Sequence, residues 1–100
     1  MIRHIVSFTF MDAQGRTRQE NARLVKEKLD ALPALIPQIV KSETHLGAAG
    51  SDPSNADLIL LSDFNSFEDL EAYLVHPDHR AVGAFMAPLR QSRAAIDVEI

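Results

Sequence analysis

No cysteine occurs in the chain, which excludes a disulfide scaffold, a thiolate nucleophile and a cysteine zinc site. No apolar run approaches the roughly 18 residues of a membrane span. The opening MIRHIVSFTFMD is too brief for a signal sequence and is broken by Arg3, His4, Ser7 and Thr9. Basic residues are few: 10 Lys and Arg stand against 14 Asp and Glu, with no block of either sign. A net charge of -4 without a basic stripe argues against nucleic acid as a partner. A Gly-rich phosphate loop, a Ser-centred nucleophile elbow and a His-Glu-x-x-His helix are all missing. The expectation is a cytoplasmic protein with no membrane or nucleic-acid partner.

What remains is ordinary globular composition, 46% hydrophobic and 24% charged over 100 residues. Residues 1–100 suit one domain, since domains most often run to roughly 100–150 residues. A domain this small gains by burying one face against a partner subunit.

Hydrophobic spacing gives the order of elements. Ile2, His4, Val6, Phe8 and Phe10 alternate with Arg3, Ile5, Ser7 and Thr9, the period of a strand. Thr17 and Glu20 have capping-box spacing, and Ala22, Val25, Leu29 and Leu32 follow on one helical stripe that Pro33 and Pro37 end. Ile39–Gly47 alternates again, Ala48–Ala56 reads as a loop, and Asp57–Phe64 is the most apolar strand, placed centrally in a sheet. Ser66 caps a helix with Phe67, Leu70 and Leu74 on one stripe, stopping before Pro77. A further helix starts around Pro77–Asp78 and turns Val82, Phe85 or Met86, and Leu89 inward; Ala94–Ile100 closes the chain as a strand. The order β-α-β-β-α(α)-β predicts an α+β, ferredoxin-like fold with a four-stranded antiparallel sheet and helices on one face. No segment is left to cover the other face, so a homodimer packed sheet to sheet is expected.

Two of the four histidines flank Pro77 in Tyr73–Leu74–Val75–His76–Pro77–Asp78–His79. His79 shares a stripe with Val82, Met86 and Leu89, and His4 lies on the apolar face of the first strand. Tyr73 sits in the last turn of the preceding helix, so His79, Tyr73 and His4 are candidates to converge between sheet and helices. In the first turn of a helix His79 feels the positive end of the macrodipole, which favours the neutral imidazole that a general base needs. Tyr73 could orient that ring or hydrogen-bond a carbonyl or enolate. A plainer reading stands beside this one: a hydrogen-bonded core histidine, a strand-edge His4 and a packing tyrosine. His76 and Pro77 read as a structural corner. His76 and His79 are three apart, but the proline breaks the helix that would align them, so neither a metal nor any other cofactor is expected.

The chain resembles the stress-responsive A/B barrel (Dabb) family over essentially its whole length. The matching stretches are MIRHIVSFTF, LDALPALIPQI, DLILLSDFNSFEDLEAYLVHPDH and AAIDVEI. The resemblance implies a dimeric α+β barrel, in which two ferredoxin-like sheets meet. It also implies a role that for many members is unassigned, in small-ligand binding or stress responses. A characterised polyketide cyclase of the family works without metal or cofactor. Its catalytic histidine, supporting tyrosine and strand-one histidine correspond to His79, Tyr73 and His4. The alternative the resemblance carries is therefore a cofactor-independent cyclase or isomerase using a histidine base. Either role implies a small apolar or carbonyl-containing ligand.

Overall fold

The computed structural model describes residues 1–100. Strand β1 spans Ile2–Phe10, helix α1 Arg18–Ala31, strand β2 Lys41–Leu46 and strand β3 Leu58–Phe64. Helix α2 covers Phe67–Val75, helix α3 Pro77–Met86 and strand β4 Arg90–Glu99. The sheet order is β2-β3-β1-β4, with every neighbouring pair antiparallel. This is the expected ferredoxin-like arrangement, and β3 is indeed a central strand.

Local chemistry explains the elements. Along β1 each even position is buried and each odd one half-buried, so a single strand contributes to two environments. At the start of α1 the Glu20 N–H donates to Thr17 Oγ1 and the Thr17 N–H donates to Glu20 Oε1, each at 3.1 Å. The box satisfies two N–H groups that the first turn leaves without helical partners. Val25 and Leu29 of α1 are buried against the sheet, each worth about 1.5–3 kcal/mol by the usual burial scale. A 3-10 turn over Leu32–Ala34, with Pro33 inside it, ends the helix.

Three details depart from the sequence expectation. First, β4 begins at Arg90 and not at Ala94. Arg90–Arg93 show no apolar alternation because β4 is an edge strand, and of its residues only Val98 is even half-buried. Charged side chains suit such an edge. Second, β2 begins at Lys41, two residues later than expected, although the Val40 N–H already donates to the Asp63 carbonyl at 2.9 Å. Third, α2 buries Leu70 and Tyr73 while Phe67 stays 55% exposed. Helical side chains lean toward the N terminus, so one at the first position leans off the end of the helix.

The faces of the sheet follow from register. Ile5 stands opposite Leu61 and Ile96, Ser7 opposite Ile59 and Ala94, and Arg3 opposite Asp63 and Val98. Ile5, Ile59, Leu61, Ile96 and Val98 thus share the face away from the helices. Ile96 is 60% exposed there. At one end of this band Arg3 makes two bonds to the Asp63 carboxylate, 2.7 and 3.0 Å long, and holds that carboxyl below its usual range. No helix of the chain is long and apolar enough to cross a membrane.

Candidate functional site

On the helix side of the sheet a cavity of about 90 Å³ opens between β1, α2, α3 and the start of β4. His4, Tyr73 and His79 all line it, together with Arg90 and Arg93. The three residues nominated from sequence are therefore brought together.

His4 is 5% exposed and stands directly opposite Asp97 of β4. Opposed residues of neighbouring strands project from the same face. His4 Nδ1 lies 2.6 Å from Asp97 Oδ1. A carboxylate oxygen can only accept, so Nδ1 carries the hydrogen and the ring is held by a cross-strand bond.

Tyr73 is 1% exposed. Its ring centroid lies 4.4 Å from that of His79, 5.0 Å from Phe64 and 6.4 Å, edge-on, from His4. Burial pushes its hydroxyl up to about 12, while the positive charge of Arg93 pulls the other way. No protein atom bonds the hydroxyl, yet the one fully buried side-chain polar atom lacking a partner is Gln38 Oε1. The phenol oxygen therefore reaches the cavity as an available donor.

His79 is the third residue of α3, beside the helix N terminus. Its Nδ1 lies 3.0 Å from the Leu74 carbonyl oxygen. A carbonyl only accepts, so Nδ1 is the protonated nitrogen and Nε2 is left with its lone pair. Burial is the main cause holding the ring below the ordinary histidine value. The Leu74 bond opposes this, and the charges of His4, Arg93 and His76 add to it. The imidazole is thus neutral near pH 7, with its acceptor nitrogen unused.

His76 does different work. Its N–H donates to the Tyr73 carbonyl at 3.1 Å and closes α2, while its Nδ1 accepts from the Asp78 N–H at 3.1 Å and opens α3. With φ -61 and ψ 137 it has the extended backbone that a following proline enforces. One residue caps both helices, and Pro77 fixes the corner that aims Tyr73 and His79 at one another. No group of three or more His, Cys, Asp or Glu side chains stands close enough to hold a metal ion.

Asp97, Arg90 and Arg93 were not anticipated. Asp97 alternates with Ile96 and Val98, which marks it as belonging to the opposite face. Only the β1–β4 register reveals that this face is the one carrying His4. A larger cavity, about 310 Å³, lies between the start of α1 and residues 46–57. Of its four charged groups, Arg18, Asp52 and Asp57 are already engaged, leaving Arg23. The Arg18 guanidinium bonds Asp57 and the carbonyls of Pro53 and Asn55, and Asp52 accepts from Ser54. The smaller cavity, with unused Nε2 and hydroxyl groups, is the better candidate for chemistry.

A family model for the Stress Responsive A/B Barrel Domain matches residues 2–100. The chain belongs to the stress-responsive A/B barrel family. A dimeric protein of unknown function with a ferredoxin-like fold, from Bacteroides fragilis, is 33% identical. That match covers 99% of this chain and 95% of the other, with a TM-score of 0.82. A dimeric ferredoxin-like protein of unknown function from Thermobifida fusca is 30% identical, over 99% and 90% of the two chains, with a TM-score of 0.81. At3g17210 from Arabidopsis thaliana, 18% identical over 100% and 95%, has a TM-score of 0.80 and shares the fold. No curated protein matches. Both of the dimeric relatives at 30% identity or more, from Bacteroides fragilis and Thermobifida fusca, are proteins of unknown function.

Proposed function

We propose that this Dabb protein is a cytoplasmic homodimer that binds a compact, carbonyl-containing molecule between sheet and helices. One observation carries the reading. His4, Tyr73 and His79 come from three separate elements to one cavity, and each imidazole is held from behind by a hydrogen bond through Nδ1. The Tyr73 hydroxyl and the His79 Nε2 are then left to face a ligand. A cavity of about 90 Å³ is small beside the roughly 300–1,000 Å³ of pockets for drug-sized ligands, so it suits a compact molecule. A carbonyl oxygen matches the phenol donor, and the apolar walls from Val6, Phe8, Val82 and Met86 match short alkyl groups. The apolar band through Ile5, Leu61 and Ile96 supports the dimer, as do the dimeric relatives.

The test is a thermal-shift comparison of the native protein and His79→Ala against small neutral ketones and their acid derivatives. Stabilisation of the native form alone supports the site, because a ligand stabilises only the state that binds it. Equal shifts in both proteins, or none in either, overturn it.

A second reading has its own support, the neutral His79 with Nε2 unused. In this reading the carbon next to the carbonyl gives its proton to His79 Nε2. The electron pair left behind forms the enolate, and the Tyr73 O–H donates to the enolate oxygen. Proton return to carbon restores the starting groups, so no cofactor is consumed. Exchange of that carbon-bound hydrogen in deuterated water, followed by NMR, reports the step. A rate unchanged in His79→Gln removes it.

A further inference from the structure

The cavity mouth carries two positive charges that nothing in the chain neutralises. Arg90 and Arg93 both line it. The ion pairs of the protein involve Arg3, Arg18, Lys26 and three histidines, and neither mouth arginine. Seven of the ten Lys and Arg side chains stand outside these pairs, and Arg90 and Arg93 are the two of them that line this cavity.

Register explains how both arginines reach the same rim. Phe8 pairs with Arg93 and Thr9 with Ser92, but Phe10 pairs with Arg90, so Gln91 is skipped in a bulge. Successive strand residues point to opposite faces. In an unbroken ladder Gln91 would have stood opposite Phe10 on the helix side, and Arg90 would have turned to the outer face. One extra residue re-aims Arg90 to the side of Arg93, a recurrent use of bulges beside binding sites. Arg93 is also close enough to bear electrostatically on both Tyr73 and His79. The guanidinium fork presents paired N–H donors matched to a carboxylate.

We propose that Arg93, assisted by Arg90, selects an anionic ligand, a short oxo-carboxylate whose carboxylate sits at the mouth and whose carbonyl end enters the cavity. The inference rests on the binding role proposed above and adds the substrate class. The two charges lie at the open rim, where a carboxylate keeps part of its hydration. The compact acyl end is the part that suits the 90 Å³ interior. This arrangement disfavours neutral ketones by weaker capture and long acyl chains by size.

The experiment uses 3-oxobutanoate, its methyl ester and acetone as probes, titrated into the full-length protein and followed by NMR. The acid is expected to bind at least roughly tenfold tighter than the ester, a difference of about one charge-assisted contact. In Arg93→Gln the preference of acid over ester should collapse toward equality; Arg90→Gln should reduce it part-way. Added salt should weaken the acid and spare the ester, because the mouth is solvated. Equal binding of acid and ester by the native protein overturns the anion assignment and leaves the pocket reading standing. A preference that survives in Arg93→Gln overturns the role of Arg93. If acid, ester and acetone all fail to bind, both the inference and the binding role fall.

Discussion

Tyr73 offers a direct reading of how dry the cavity is. It is the only tyrosine, and there is no tryptophan, so the near-ultraviolet phenolate band of the protein reports this one group. An ordinary phenol is half ionised near pH 10, whereas Tyr73, pushed up by burial to about 12, should then be only about 1% ionised. The sign of the linkage follows. Between those two values the folded protein holds a proton that the unfolded chain has released, so stability is complete below pH 10 and falls as pH rises. Two pKa units at 1.36 kcal/mol each make the full loss about 2.7 kcal/mol, most of it reached by pH 12. The assay pairs a spectrophotometric titration with far-ultraviolet circular dichroism at each pH. The phenolate should appear near pH 12, or earlier only together with unfolding. Arg93→Gln should move the midpoint further up, since that charge favours the phenolate. A midpoint near 10 with the fold intact would refute the burial of the Tyr73 hydroxyl and the pocket geometry built on it.

Three other measurements probe the same structure. For His79, kept neutral mainly by burial, the unfolded chain takes up the proton first as pH falls. Stability should therefore rise with pH between the lowered folded value and 6.5. Melting temperatures of native protein and His79→Gln across about pH 5–8 should show the shallower slope in the variant. Removing the capping box with Thr17→Ala should cost about 1 kcal/mol and lower the melting temperature by about 4–8 °C for a domain of this size; an unchanged melt would contradict the two bonds that define it. Ile96→Asp puts a charge in the middle of the outer apolar band, opposite Ile5. Sedimentation at micromolar concentration should show a dimer for the native chain and a monomer for the variant, and a native monomer would sink the sheet-to-sheet assembly.

Much of this was legible in residue order because it rests on local rules. The period-two face of β1 put His4 inward. The box at Thr17 and Glu20 fixed where α1 begins, and His76–Pro77 dictated the corner between α2 and α3. Even the inward stripe from His79 through Val82 to Met86 needed only 3.6-residue spacing. Each of these is decided by neighbours a few positions apart, whose steric and hydrogen-bonding demands do not wait for the rest of the chain.

What residue order left undetermined depends on which strands lie side by side. Ile96, Asp97 and Val98 alternate in the sequence, but nothing local says which parity meets the helices. The antiparallel pairing of β1 with β4, residues 93 apart for His4 and Asp97, turns the isoleucine outward and the aspartate toward His4. The bulge at Gln91 is likewise a property of two strands, and it alone places Arg90 beside Arg93. The sequence by itself thus determined the elements, their faces and the three rings. Only the tertiary structure decided the acid behind His4 and the charges at the mouth, because register is set by long-range backbone pairing and not by the residues it happens to align.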